Sequence, residues 1–432
     1  MLKKVLIITY YWPPAGGVPV QRWVKMTKYL RKFGWEPVIY TVTAGEYPVL
    51  DSTLAQQIPA DIQVIKTPIR EPYTVYKQLL GYKKDEKVNA GFLHEKKKQG
   101  FMQNLAVWVR GNFFIPDARK FWIKPSVKYL TTYLKNNPVD AIISTGPPHS
   151  MHLIAAGVKQ NTGIPWIADF RDPWTKIDYY SELKLSAAAD KKHHQLEKKV
   201  LTEANKVVTV SWQWAADFNK INNGNTEVIT NGFDAADFDP EPKTLFEGFV
   251  LHHVGMINKA RNPELLWAAL EALCNEHPDF KRDLQIRFTG KSDYSVLDYL
   301  KKYHLENKLF HAGQVNHAAA IEAMQKSTVL LLLLNDTQDI LGRIPAKLFE
   351  YLAAKRPVLA IGNPDGDAAK IIRETQAGVV ADFKDIEAIK SAVLAMYKQF
   401  QQNTLLVDAG AIDHYSREQN AKSLADLLNR LT

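Results

Sequence analysis

The stretch Ile344-Pro-Ala-Lys-Leu-Phe-Glu-Tyr-Leu-Ala-Ala-Lys-Arg-Pro-Val-Leu-Ala-Ile361 decides how the rest of this chain is read. Its spacing predicts a helix with Pro345 at the first position, where a missing N–H costs nothing. Pro357 blocks extension beyond Lys355–Arg356, and Val358–Ile361 then reads as a buried parallel strand. Upstream, Val329–Leu334 is a second apolar run. A helix N-terminus at the carboxyl end of a parallel strand favours anions, through free N–H groups and the helix dipole. Lys347 falls in the first turn and Glu350 three residues on, on the same face. A cation beside backbone donors suits a diphosphate, and a carboxylate one turn deeper suits two ribose hydroxyls. An amphipathic helix with a wet Lys/Glu face would show the same periodicity.

Working outward, strand and helix patterns alternate from end to end, as in doubly wound α/β domains. Val5–Thr9, Val38–Val42, Asp140–Ser144, Trp166–Ala168, Val207–Ser211 and Glu227–Ile229 read as strands of a first half. Helices are expected from about Val20 to Phe33, around Met151–Gln160 and from Trp212. The second half repeats the scheme with strands Phe249–His253, Leu284–Phe288 and Leu309–His311, and helices Pro263–Cys274 and Ala318–Gln325. The polar, Pro-rich segment after Phe238 reads as a linker over 239–247. It separates a domain of residues 1–238 from one of residues 248–409. Residues 70–125 break the rhythm as an insertion, and Arg417–Leu431 has helical spacing.

At 432 residues and 46% hydrophobic, the chain has room for two such domains and is not disordered. No apolar run reaches the roughly 18 residues of a membrane span. The apolar start is cut by Pro13-Pro14, with no small-residue cleavage site, and reads as the first strand. The single Cys274 cannot form an internal disulfide and fits a reducing, cytoplasmic setting. Of the net charge, residues 66–135 hold 15 basic against 5 acidic side chains, with 12 aromatic residues among them. Lys83, Lys84, Lys87, Lys96, Lys97, Lys98, Arg119, Lys120 and Lys124 alternate with Tyr82, Phe92, Phe101, Trp108, Phe113, Phe114, Phe121 and Trp122. That mixture suits an anionic membrane surface. A solvated basic face remains open; single-stranded nucleic acid would use the same residue types, but no RNA- or DNA-binding signature accompanies them.

Several segments beside Ile344–Ile361 carry a resemblance. Pro14-Ala-Gly16-Gly17 lies between strand and helix. Val207-Val-Thr-Val-Ser211 precedes Asn231-Gly-Phe-Asp234. Gly255 is followed six residues later by Arg261, and Asp169-Phe-Arg171-Asp172 closes a strand. With these segments the chain resembles glycosyltransferase family 4, retaining enzymes of bacterial surface-polysaccharide type with the GT-B fold. The resemblance implies two Rossmann-like parallel-sheet domains facing across a cleft, with residues 410–432 crossing back onto the first. It implies a nucleotide-sugar site built from Gly16, Gly17, Gly255, Arg261, Arg343, Ala346, Lys347 and Glu350. Arg261 and Lys347 would meet the diphosphate and Glu350 the ribose. Asp169, Arg171, Asp172 and His149 are the candidate catalytic groups near the transferred sugar, although an internal Asp–Arg brace would look the same in sequence.

Two departures stand out. Met256 occupies a place where many members carry arginine, with Lys259 as a substitute. Gly342 replaces a second glutamate eight positions before Glu350, leaving Asp336, Asp339 and Arg343 as candidate sugar contacts. Asp365-Gly-Asp367 and Asp237-Phe-Asp239 imitate a metal-binding D-x-D pattern. The first is read as a turn and N-cap, the second as part of the linker. His149/His152, His193/His194 and His252/His253 have no partners at metal-ligand spacing. No metal and no cofactor are expected. The expected function is transfer of a sugar from a nucleotide-diphosphate donor to a lipid-linked or saccharide acceptor, by a peripheral protein on the inner face of the cell membrane. A nucleotide-sugar 2-epimerase of the same architecture and a non-catalytic membrane-bound binding protein remain as rivals.

Overall fold

The computed structural model describes residues 2–71, 101–335, 340–407 and 409–432. Lys83, Lys84, Lys87 and Lys96 to Lys98 of the insertion, and Asp336 and Asp339, lie outside the described residues.

The chain divides into two compact units, residues Met1–Thr230 with Asn420–Thr432, and residues Asn231–Gln419. In the first, the strands are β1 (Lys3–Ile8), β2 (Trp35–Val42), β3 (Gln63–Thr67), β4 (Ala141–Gly146), β5 (Trp166–Phe170), β6 (Lys206–Thr209) and β7 (Thr226–Val228). They form one parallel sheet in the order β3-β2-β1-β4-β5-β6-β7. The order reverses between β1 and β4. The helices are α1 (Val18–Leu30), α2 (Phe101–Phe113), α3 (Lys120–Asn136), α4 (Ser150–Thr162), α5 (Ala187–Glu203) and α6 (Trp212–Asn222). Both faces of this sheet are covered, and the last four residues of β1 and all six of β4 are buried.

The second unit holds β8 (Phe249–Val254), α7 (Glu264–Glu276), α8 (Pro278–Asp283), β9 (Leu284–Thr289), α9 (Tyr294–Lys302), β10 (Leu309–Gly313) and α10 (His317–Gln325). They are followed by β11 (Val329–Leu333), α11 (Ala346–Ala353), β12 (Val358–Ile361), α12 (Asp367–Glu374), β13 (Gly378–Ala381) and α13 (Ile386–Gln401). Its parallel sheet runs β10-β9-β8-β11-β12-β13 and reverses between β8 and β11. The last helix, α14 (Arg417–Leu431), passes from the second unit into the first. There Ala421, Leu424, Ala425, Leu427 and Leu428 are buried in one cluster with Trp23 and Trp35.

Several boundaries differ from the sequence reading for local reasons. Pro345 is the N-cap rather than the first helical residue: its ψ of 135° is extended, and Ala346 opens the helix. Gly366, not an aspartate, caps α12, with no side-chain capping bond, and Asp367 stands in the first turn. The units part at Thr230 rather than at 238, because Phe233 N–H donates to Tyr415 O and Arg417 N–H donates to Phe233 O. Part of the expected insertion is regular structure. Trp122, read above as a membrane-facing ring, is 1% exposed. It stacks on Tyr40 at 5.0 Å, and its Nε1 donates to Thr67 Oγ1. Burial of so large a ring outweighs any interfacial preference.

Candidate functional site

In doubly wound sheets, ligands sit outside the carboxyl ends of the strands where the strand order reverses. In the second unit that point lies between β8 and β11. β8 ends at Val254 and is followed by Gly255, whose φ of +115° favours glycine. A Cβ at Gly255 would come within 2.6 Å of Lys347 Nζ, so its absence makes room for the lysine. Gly255 N–H donates to Thr289 O, tying the β8 and β9 loops together. The short turn Lys259–Arg261 follows, and Arg261 Nε donates to Asn335 Oδ1, just after β11.

α11 presents its N-terminus to the same place. Pro345 supplies no side-chain cap, while Leu348 N–H is satisfied by Pro345 O. Amides at such an end are available to an anion. Leu348, Phe349, Tyr351 and Leu352 are buried. The Tyr351 hydroxyl accepts from Val254 N–H at 2.9 Å, fastening the helix to the end of β8. With that face occupied, Lys347 and Glu350 share the other side, one turn apart.

Lys347 Nζ lies 3.0 Å from His253 Nε2. Loss of hydration in the pocket, with the Arg261 charge adding to it, pushes the lysine down to about 7, and Glu350 acts in the opposite direction. Burial raises the Glu350 carboxyl above its usual range; His317, Lys347 and Arg417 oppose that rise, and Asp237 adds to it. Gly255, Arg261, Ala346, Lys347 and Glu350 therefore belong to one locality of the second unit. Arg343 follows the short turn Ile340–Gly342 that leads into this helix.

In the first unit, Asp169 at the end of β5 is a brace rather than an open carboxylate. It accepts from Arg22 Nη2, Trp23 Nε1 and Thr145 Oγ1 at 3.1, 3.2 and 2.8 Å. Arg171 Nε donates to Gly146 O at 3.1 Å and its Nη2 to Pro147 O. His149 precedes α4 and stacks on Trp174 at 4.5 Å. Burial holds its ring well below the usual histidine range, and its Nδ1 is buried without a hydrogen-bond partner. Asp172 is partly exposed beside them. Gly16 N–H is spent on Val49 O, and Gly17, at φ +91°, precedes α1. The Gly16 amide therefore serves its own loop.

Sequence reasoning missed His253 and Tyr351. The signal for His253 was its place two residues before Gly255, where a strand end meets the switch point. Among the described residues, no group of three His, Cys, Asp or Glu side chains is arranged to hold a metal.

Residues 236–409 match the family model of glycosyl transferases group 1. The second unit is where that match lies, and it contains the whole Gly255–Glu350 locality. Among solved structures, sucrose-phosphate synthase from Thermosynechococcus elongatus is 15% identical with a TM-score of 0.62, covering 99% of each chain. Anabaena HepE in complex with UDP is 13% identical with a TM-score of 0.64, covering 100% of each chain. A TarM mutant of S. aureus, in complex with Fondaparinux, alpha-GlcNAc-glycerol and UDP, is 12% identical with a TM-score of 0.60, covering 99% of this chain and 100% of that one. No protein of curated function matches the sequence significantly. The fold is GT-B, built of two Rossmann-like parallel-sheet domains.

Proposed function

We propose that this chain is a retaining, metal-independent glycosyltransferase of family 4 type, moving a sugar from a nucleotide-diphosphate donor to a membrane-associated saccharide acceptor. The observation that carries the reading is the meeting of Arg261, Lys347 and the side-chain-uncapped α11 N-terminus at the β8/β11 switch point, with Glu350 one turn deeper. The UDP bound in HepE and in TarM supports uridine diphosphate as a first probe.

In this reading the bond from the sugar's anomeric carbon to the diphosphate oxygen breaks, and its electron pair leaves on the diphosphate. The acceptor hydroxyl bonds that carbon on the same face and passes its proton to the leaving oxygen. Charge grows on the diphosphate, so fixed cations and helix amides there lower the barrier. The planar Arg261 fork suits a phosphate bidentately, and Glu350 accepts from the ribose hydroxyls. These cations take the place of a divalent metal.

The acceptor is assigned to a membrane surface on different grounds. Residues 66–135 carry a net charge of +10. Trp108 and Phe113 are 40% and 58% exposed, and they line a cavity of about 420 Å³ with Ile115 and Lys192. No helix among the described residues is long and apolar enough to cross a membrane; the reading here is of a peripheral protein at the inner face.

The deciding experiment is a panel of nucleotide sugars incubated with and without a membrane extract, each with and without EDTA. Donor consumption that needs the extract and survives EDTA is expected. Consumption without any acceptor would make the protein an epimerase, and binding without turnover a scaffold.

A further inference from the structure

We propose that His253 is a positioning residue for the diphosphate site, holding the Lys347 amine at its Nε2, and that the diphosphate brings a proton onto Lys347 as it binds. The proposal rests on the donor-site reading above and says how that site is charged.

His253 is 0% exposed at the end of β8. Its Nδ1 lies 2.9 Å from Leu331 O, on the neighbouring strand β11. A carbonyl oxygen only accepts, so Nδ1 carries the hydrogen and Nε2 of the neutral ring keeps its lone pair. Lys347 Nζ, 3.0 Å from that nitrogen, is therefore the donor. The main chain of β11 sets the tautomer, and the sheet sets where the acceptor points. Gly255 completes the arrangement, because a Cβ there would press to within 2.6 Å of Nζ.

The partner of this lysine is thus a neutral imidazole rather than a carboxylate. His253 is held well below its usual range, chiefly by burial, with Lys347 and Arg261 also opposing a charge on it. It does not compete for the proton. The other groups around the pair come from every neighbouring element. Arg261 approaches from the β8–α7 loop, anchored by Asn335. His252 is turned away, bonded to Ser327 Oγ and Thr289 Oγ1. Tyr351 is engaged by Val254 N–H. Glu350, one turn along, is influenced by His317, Arg417 and Asp237. With Lys347 at about 7, part of the free protein carries an uncharged amine at neutral pH, still able to donate an N–H to His253. A bound diphosphate favours the ammonium and draws the proton from solvent.

The linkage has a definite sign. Below pH 7 Lys347 is charged in both states and contributes no pH dependence. Above pH 7, until the raised pKa of the complex is reached, affinity for uridine diphosphate falls by up to about tenfold per pH unit.

Two readouts test this. Histidine-¹⁵N spectra between pH 6 and 9, assigned with His253→Gln, should show a neutral Nδ1–H ring throughout. Its Nε2 shift should titrate near pH 7 in the parent and stay flat in Lys347→Met. Calorimetry of uridine diphosphate at pH 8, in two buffers of different ionisation enthalpy, should show uptake approaching one proton. His253→Leu should weaken binding about tenfold or more, and His253→Gln, whose amide oxygen accepts, should recover most of it. An Nε2–H ring, a ring that protonates near pH 6.5, or equal heats in both buffers would overturn the proposal. A parent that binds no nucleoside diphosphate at any pH would overturn the donor reading and the proton uptake with it. The ring spectra would still decide the His253–Lys347 pair.

Discussion

Arg22 Nη2 and Asp169 Oδ1 meet at 3.1 Å across 147 residues of chain, with only 2% and 3% of the two side chains exposed. Arg22 also donates to Thr230 O and Ile229 O. The pair joins α1, β5 and the segment after β7, so its first duty is to hold the first unit together. Asp169→Ala takes the carboxylate from three buried donors, the Arg22 guanidinium, Trp23 Nε1 and Thr145 Oγ1, and should cost about 3–5 kcal/mol. Urea unfolding measures this; a loss below 1 kcal/mol, with activity abolished, would return Asp169 to the catalytic set.

Glu350→Ala should weaken binding of uridine diphosphate about tenfold or more, because a charged acceptor for hydroxyls contributes roughly 1.5–3 kcal/mol. Calorimetry on the folded variant checks it, with circular dichroism as the control. Unchanged affinity would remove the ribose from this residue. The raised carboxyl adds a direction: as pH falls, Glu350 takes up a proton sooner than an ordinary glutamate, so affinity should decline on the acid side.

Acid should destabilise the first unit early. His149 and His152 are neutral in the fold, His149 well below the usual range and His152 at about 3, both chiefly through burial. Unfolded histidine takes up its proton near 6.5, so the unfolded state binds more protons below that pH and stability falls there. Each such ring contributes up to about 1.4 kcal/mol per pH unit between roughly pH 6.5 and the carboxylate range. His149→Phe keeps a ring against Trp174 and loses no hydrogen bond at Nδ1. Its urea midpoint should therefore match the parent at pH 7 and exceed it at pH 5. An identical pH slope in the two proteins would count against a buried neutral His149.

Binding to anionic vesicles should be salt-sensitive, because the +10 charge of residues 66–135 acts over a Debye length of about 8 Å at physiological ionic strength. Replacing exposed Trp108 and Phe113 together with serine should release much of the protein from the vesicles while leaving uridine diphosphate affinity intact. Trp122→Ser should instead lower stability, since that ring is core. If the double variant sediments with lipid as the parent does, the aromatic face is not the contact.

The elements of this protein are set by short-range patterns, and those were legible in the residues themselves. Apolar runs such as Val329–Leu333 and Phe249–Val254 are strands because both faces are covered. The spacing of Leu348, Phe349, Tyr351 and Leu352 forces Lys347 and Glu350 onto the remaining face of α11, so the two residues of the proposed anion site could be paired from a single helix. What the tertiary structure decided is partnership. His253 is joined to Lys347 over 94 residues and Arg22 to Asp169 over 147. Trp122 is core rather than surface because Tyr40 and Thr67 lie beside it. The order in which β4 and β11 enter their sheets places both switch points. Periodicity reaches one or two turns along the chain. A buried charge, a tautomer or a ring is settled by whichever group the fold brings within about 3–5 Å of it, and that neighbour is distant in sequence.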